Sequence, residues 1–192
     1  KTKFSLKPIF KACINGSSEF MSNVSMNIVG MIYNLQLLKY LGYDGIAAYG
    51  VMMYVSFVFA AAFIGYSIGI APIIGYNHGA ENHDELKGIL KKSVILIGIF
   101  GICMVVLGEV FAKILSDIFV GYDKELSNLT VSGFRIFTLS FLFMGYAIFG
   151  SGFFTALNDG LTSALISFLR TLVFQIAAVI ILQGILKPYA LK

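Results

Sequence analysis

Asn15, Glu19, Asn23 and Asn27 recur at four-residue spacing early in the chain. A helix turns by about 100° per residue, so a four-residue step drifts by only ~40° and the four share one side. Ser22, Gly30 and Asn34 fall on that side as well, while Met21, Val24, Ile28, Ile32 and Leu35 form an apolar back. A carboxylate set among amides and a hydroxyl can bind a proton or a monovalent cation, or hydrogen-bond a ligand. Tyr33 stands near the end of the stripe; it and Tyr54, Tyr66 and Tyr146 either line a cavity or anchor at an interface.

The stripe gains its meaning from the medium around it. The chain is 58% hydrophobic and only 12% charged, with a mean hydropathy of +0.86. Soluble domains run at about 25% charged, and a chain of this length has too much surface to hide so much apolar side chain. Residues 47–79 contain no Asp, Glu, Lys or Arg. About 20 helical residues span ~30 Å of hydrocarbon, so an all-α integral membrane protein is expected.

Five membrane-spanning helices position the stripe, at about 9–38, 46–76, 93–114, 131–157 and 161–186, in one bundle over 1–192. Pro8 suits the first turn of the first helix, and Gly42 with Asp44-Gly45 marks the first turn between spans. Gly65 and Gly69 have a small-xxx-small spacing that permits close helix approach. Pro72 is expected to kink or loosen the end of the second span. Asn82, then Asp84 and Glu85, then Lys87, Lys91 and Lys92 read as a surface helix leading into the third span. Glu109 and Lys113 stand four apart and can pair. Lysines concentrate in the basic lead-in at 1–11 (Lys1, Lys3, Lys7, Lys11) and in the 77–92 loop. By the positive-inside rule, the N-terminus and that loop are cytoplasmic. The net charge of +4 is accounted for in the same way and is no nucleic-acid footprint.

Glu19 lies about ten residues into its helix, or ~15 Å at 1.5 Å per residue, near mid-membrane. An ionisable group there costs roughly 2.5–3.5 kcal/mol on insertion scales and survives by facing a cavity or a partner. Two readings stand: a cation or proton site on a central cavity, or a structural cluster satisfied by a neighbouring helix, for instance by Arg170. Arg170 and Arg135 are expected to snorkel to opposite interfaces. Cys13 and Cys103 sit in apolar segments as small hydrophobes. His78 and His83 share a loop with Glu81 and Asp84, which reads as a solvated loop rather than a metal site. No enzyme motif is present, and neither a metal site nor a cofactor is expected. Because the chain opens on Lys and ends just after an apolar segment, it is expected to be a fragment of a longer protein.

The segment GIAPIIGYNHGAEN at 69–82 resembles a signature of the multidrug and toxin extrusion (MATE) family, with Pro72, Gly75, Asn77, Gly79 and Ala80 matching. Lys7-Pro8-Ile9 followed by Gly16-x-x-Glu19 looks like the start of that family's C-terminal lobe, and SALISFLR, ending at Arg170, looks like the start of the lobe's fifth helix. The resemblance implies a twelve-helix transporter of two six-helix lobes, with this chain supplying most of the second lobe and the N-terminal lobe lying in missing sequence. It implies a plasma (inner) membrane exporter of cationic or amphiphilic drugs in antiport with Na⁺ or H⁺. It implies a functional carboxylate on the lobe's first helix, which Glu19 matches; the candidate ion- or substrate-binding residues around it, read from the spacing, are Asn15, Ser22, Asn23, Asn27 and Tyr33. Some members also carry an Asp on the helix matching 131–157; this chain has no acid there. Two alternatives remain: a lipid-linked oligosaccharide flippase, whose cavity should be basic, and a non-transporting membrane scaffold, in which Glu19 would be packed against a helix.

Overall fold

A computed structural model describes residues 6–177; the side chains of Lys7, Pro8, Lys11, Asn15, Ser18, Glu19 and Ser22 lie outside the described set. The described residues are helical, in five elements: α1 (Leu6–Gly79), α2 (His83–Val120), α3 (Lys124–Thr138), α4 (Phe141–Ala156) and α5 (Gly160–Phe168), the last continuing into a π-helical turn, Leu169–Phe174.

α1 is two limbs. Gly42 has φ 65° and ψ −153°, a backbone state that glycine reaches without a Cβ clash. Sixteen residues of straight helix would separate Tyr33 from Tyr49 by about 24 Å, yet their rings stack with centroids 5.6 Å apart. The chain therefore doubles back at Gly42. Pro72, expected to kink the second limb, does not: helical dihedrals continue through it to Gly79. A proline late in a helix removes one ladder bond, and here its neighbours hold the geometry. Ile74 beside it is 1% exposed.

The 83–92 stretch and the third span are one helix, α2. The Asn82 side chain accepts from the Glu85 N–H at 3.2 Å, so one of the orphan donors at the helix start is satisfied and no break is needed before residue 93. The stretch expected to hold a single span at 131–157 is instead broken. α3 and α4 meet at Leu139-Ser140 with a bend of 53°.

Packing inverts the pattern of a water-soluble domain. The buried face of α2 carries Ser93, Gly101, Gly108, Ala112 and Ser116. Its outer face carries Ile95, Ile99, Ile102, Val106, Val110 and Ile114, each more than half exposed. Small residues inside let helix axes approach: a Cβ on Gly108 would stand 2.5 Å from Thr138 Cγ2, and one on Gly145 2.5 Å from the Phe63 ring. Helices embedded in lipid associate by such close contact, since lipid is as apolar as Leu. Larger apolar side chains fill the end of the bundle where α2 begins, as Phe63, Ile74, Leu86, Ile89, Ile97 and Phe149. Among the described residues, Asn23–Gly79, His83–Val120, Gly160–Ala177 and the bent pair of α3 and α4 are each long and apolar enough to cross a bilayer. The first of these, folded at Gly42, supplies two limbs. The expected span at 161–186 is described only as far as residue 177.

Candidate functional site

The polar stripe lies on the first limb of α1, and that limb meets the bundle along a line the sequence did not single out. Ser25 is 2% exposed and Val29 4%. Asn23, Asn27 and Asn34 are exposed. The side chain of Asn27 donates to the Asn23 carbonyl, one turn back, at 2.8 Å. The expected apolar back is open too, with Ile28 at 41% and Leu35 at 68% exposure. A Ser–Val line allows closer packing than an Ile–Leu ridge, and the bulkier side chains are left on the outside of the bundle. Tyr33 is half-buried on the Tyr49 ring. Asn15, Glu19 and Ser22 share this helix, and the roles expected of their side chains lie outside the described residues.

The 69–82 motif shapes the passage from α1 to α2. Asn77 Nδ2 donates to the Ile73 carbonyl at 2.9 Å, and its own carbonyl accepts the Asn82 N–H at 2.9 Å. A Cβ on Gly75 would lie 3.6 Å from the Ala156 carbonyl, at the end of α4. Pro72, Gly79 and Ala80 are exposed around this turn. Glu81 takes a positive φ of 56°, which lets Asn82 cap α2.

Arg170 occupies the π-helical turn. It does not snorkel clear of the bundle: the residue is half-buried and its Nη1 is shielded. One turn before it begins a hydroxyl network that sequence reading missed. Ser151 Oγ stands 3.0 Å from Ser163 Oγ and 2.8 Å from Ser167 Oγ, and Thr155 Oγ1 lies 2.8 Å from Ser163 Oγ. Ser163 also donates to the Ser151 carbonyl at 2.9 Å. The available signal was two i, i+4 hydroxyl pairs on successive helices, 151/155 and 163/167, which place their oxygens on facing stripes.

A second polar seam joins α2 to α3. Glu109 does not pair with Lys113. Its Oε2 lies 3.7 Å from Arg135 Nε on α3, so Arg135, its side chain 58% exposed, reaches across to a partner helix. Lys113 turns to Asp117, 3.1 Å away, and Ser127 Oγ donates to the same Asp117 oxygen at 2.6 Å. An i+4 carboxylate toward the end of the helix and a hydroxyl across the seam outcompete Glu109, which Thr138 and Arg135 already engage.

Among the described residues no group of three or more His, Cys, Asp or Glu is gathered to hold a metal. An open groove between α2 and α4 is lined by His83, Leu86, Lys87, Leu90, Phe153 and Leu157 and includes no stripe residue.

Residues 20–181 match the family model MatE. The chain is 28% identical over 163 residues to "Multidrug export protein MepA" of Staphylococcus haemolyticus, covering 83% of this chain and 34% of that protein. It is 22% identical over 129 residues to "Probable multidrug resistance protein YoeA" of Bacillus subtilis, covering 66% of this chain and 28% of that one. A crystal structure of MATE in complex with MaL6 superposes with a TM-score of 0.82 at 17% identity, over 89% of this chain and 38% of that chain; this likeness shows the fold. The chain thus spans about a third of the length of the curated relatives it matches. An all-α bundle with lipid-type outer faces and a family match over most of its length make this chain a multi-pass membrane protein that belongs to the MatE family of MATE transporters.

Proposed function

We propose that this chain forms part of a secondary active multidrug exporter, which moves cationic or amphiphilic small molecules outward in antiport with Na⁺ or H⁺ by alternating access. The observation that carries the reading is the stripe on the first limb of α1. Asn23 and Asn27 stand exposed on a helix whose Ser25–Val29 line packs on the bundle, in a chain of the MatE family. Polar groups at membrane depth that are not turned into the bundle are suited to a water-filled path shared with the rest of the polypeptide. The relatives named for multidrug export support the substrate class. The five spans are then most of a C-terminal lobe, paired with an N-terminal lobe in a twelve-helix transporter of the inner membrane. Its N-terminus and the 77–92 loop face the cytoplasm.

Glu19 is the coupling carboxylate in this reading, with Asn15, Ser22, Asn23, Asn27 and Tyr33 around the ion or drug. A charge crossing 100 mV is worth ~2.3 kcal/mol, a sufficient drive for antiport. A flippase for a pyrophosphate-linked lipid would want cations where this stripe offers amides and an acid. The test is drug export by the complete polypeptide in proteoliposomes under an imposed Na⁺ or H⁺ gradient. Glu19→Gln is expected to abolish gradient-driven export while drug binding persists; undiminished export would remove Glu19 from coupling.

A further inference from the structure

The break between α3 and α4 holds a hydrogen-bond conflict. Thr138, fully buried, has its Oγ1 2.8 Å from Glu109 Oε1 and 2.7 Å from the Arg135 carbonyl oxygen. Both neighbours are acceptors, and a hydroxyl has one proton to give. If Glu109 is ionised, Thr138 satisfies one of the two. If Glu109 carries a proton, its O–H donates to Thr138 Oγ1, the Thr138 O–H donates to the Arg135 carbonyl, and both contacts are made. The two forms therefore differ in the bonding of a carbonyl in the last turn before the 53° bend. A second hydroxyl at the same break, Ser140 Oγ, is buried and has no hydrogen-bond partner among the described residues. A buried hydroxyl left without a partner is costly, and a change in the bend moves it.

We propose that Glu109 is a proton-binding residue whose proton sets the bend between α3 and α4 through the Thr138 hydroxyl. Loss of the proton swings the Thr138 O–H onto the carboxylate, releases the Arg135 carbonyl and restores the full Glu109–Arg135 attraction; uptake reverses each step. The Glu109 side chain is 40% exposed, and the exposed Lys113–Asp117 pair that follows it on α2 marks the polar end of the span, the side from which a proton would reach it. The charged groups around it are few. Arg135 faces it from α3 at 3.7 Å. Lys113, one turn on, is engaged by Asp117. The second limb of α1 beyond residue 46 and the whole of α4 carry no Asp, Glu, Lys or Arg.

The experiment places nitroxide labels at Asn128→Cys and Phe143→Cys, either side of the break, in the complete polypeptide in lipid nanodiscs with Cys13 and Cys103 replaced by Ser. The mean spin–spin distance is expected to shift between acidic and alkaline buffer. Glu109→Gln, whose amide N–H donates to Thr138 as the neutral acid does, is expected to hold the acidic-buffer distance in both. Thr138→Val is expected to lose the response and Thr138→Ser to keep it. A pH-invariant distance in the parent, or an undiminished shift in either Glu109→Gln or Thr138→Val, overturns the proposal. Should Glu109→Gln fail to reach the membrane, the Val/Ser pair decides alone. The distances are read without transport, so a silent break in a protein that still exports drug sinks this device and leaves the efflux reading standing.

Discussion

Single side chains in this protein act mostly through hydroxyl and carboxylate hydrogen bonds. Asp159 accepts from the Thr162 N–H at 3.1 Å and the Thr162 hydroxyl at 2.6 Å, capping α5. The Thr162 hydroxyl first, and its backbone N–H second, hold the Asp159 carboxyl below the usual carboxylate range. A depressed folded value means the cap contributes fully above the ordinary Asp value of about 3.9 and is lost as pH falls through the lowered one. Amide exchange at Thr162 and Ser163 is therefore expected to quicken, beyond its intrinsic pH trend, below that value. In Asp159→Ala the quickening should already be present at neutral pH. Ser163 stands at the centre of the buried hydroxyl network. Ser163→Ala leaves its former partners short of a bond, at a cost of about 1–3 kcal/mol, measurable as a lowered unfolding midpoint in detergent.

At the scale of elements, the tight places are where a side chain cannot be added. Gly42 turns α1 back at positive φ. An L-residue in this positive-φ, extended-ψ state costs about 1–3 kcal/mol, so Gly42→Ala should lower the midpoint. Gly150, which has nothing within 4 Å of an added Cβ, should accept Ala with no loss or a gain of up to about 1 kcal/mol from helix propensity. Gly108 abuts Thr138, and Gly108→Leu should overpack the seam between α2 and the end of α3 by about 1–3 kcal/mol. Equal melting of Gly108→Leu and the parent would mean that α2 and the break are not in contact in solution.

The whole molecule is ordered by its solvent. The Ile95–Ile114 face of α2 is open on this chain, and mid-membrane lipid against it makes Ile102→Lys costly by about 2.5–3.5 kcal/mol. Glycosylation-mapped insertion of the third span should fall accordingly. In water, an exposed Ile→Lys change would stay within about 0.5 kcal/mol, so an unchanged insertion fraction argues against lipid contact there.

Much of this was legible from residue order, because the governing forces are local or additive. Low charge and apolar runs require a bilayer whatever the tertiary contacts. The 69–82 motif carries the family, and Gly42 with Asp44-Gly45 marks the turn between the first two limbs. Spacing put the amides on one side of the first helix, and helix geometry alone was enough for that. Tertiary structure decided which side packs. The Ser25–Val29 line won over the Ile–Leu back because close approach favours small side chains, and hydropathy does not rank closeness. It also chose partners. Glu109 met Arg135 and Thr138 rather than Lys113, since which stripe of α3 lies against α2 depends on the turn at 121–123 and on Gly108. The break at Leu139-Ser140 has neither Pro nor Gly to announce it. It is held by the Thr138 hydroxyl and by contacts across helices, which no single-helix pattern encodes.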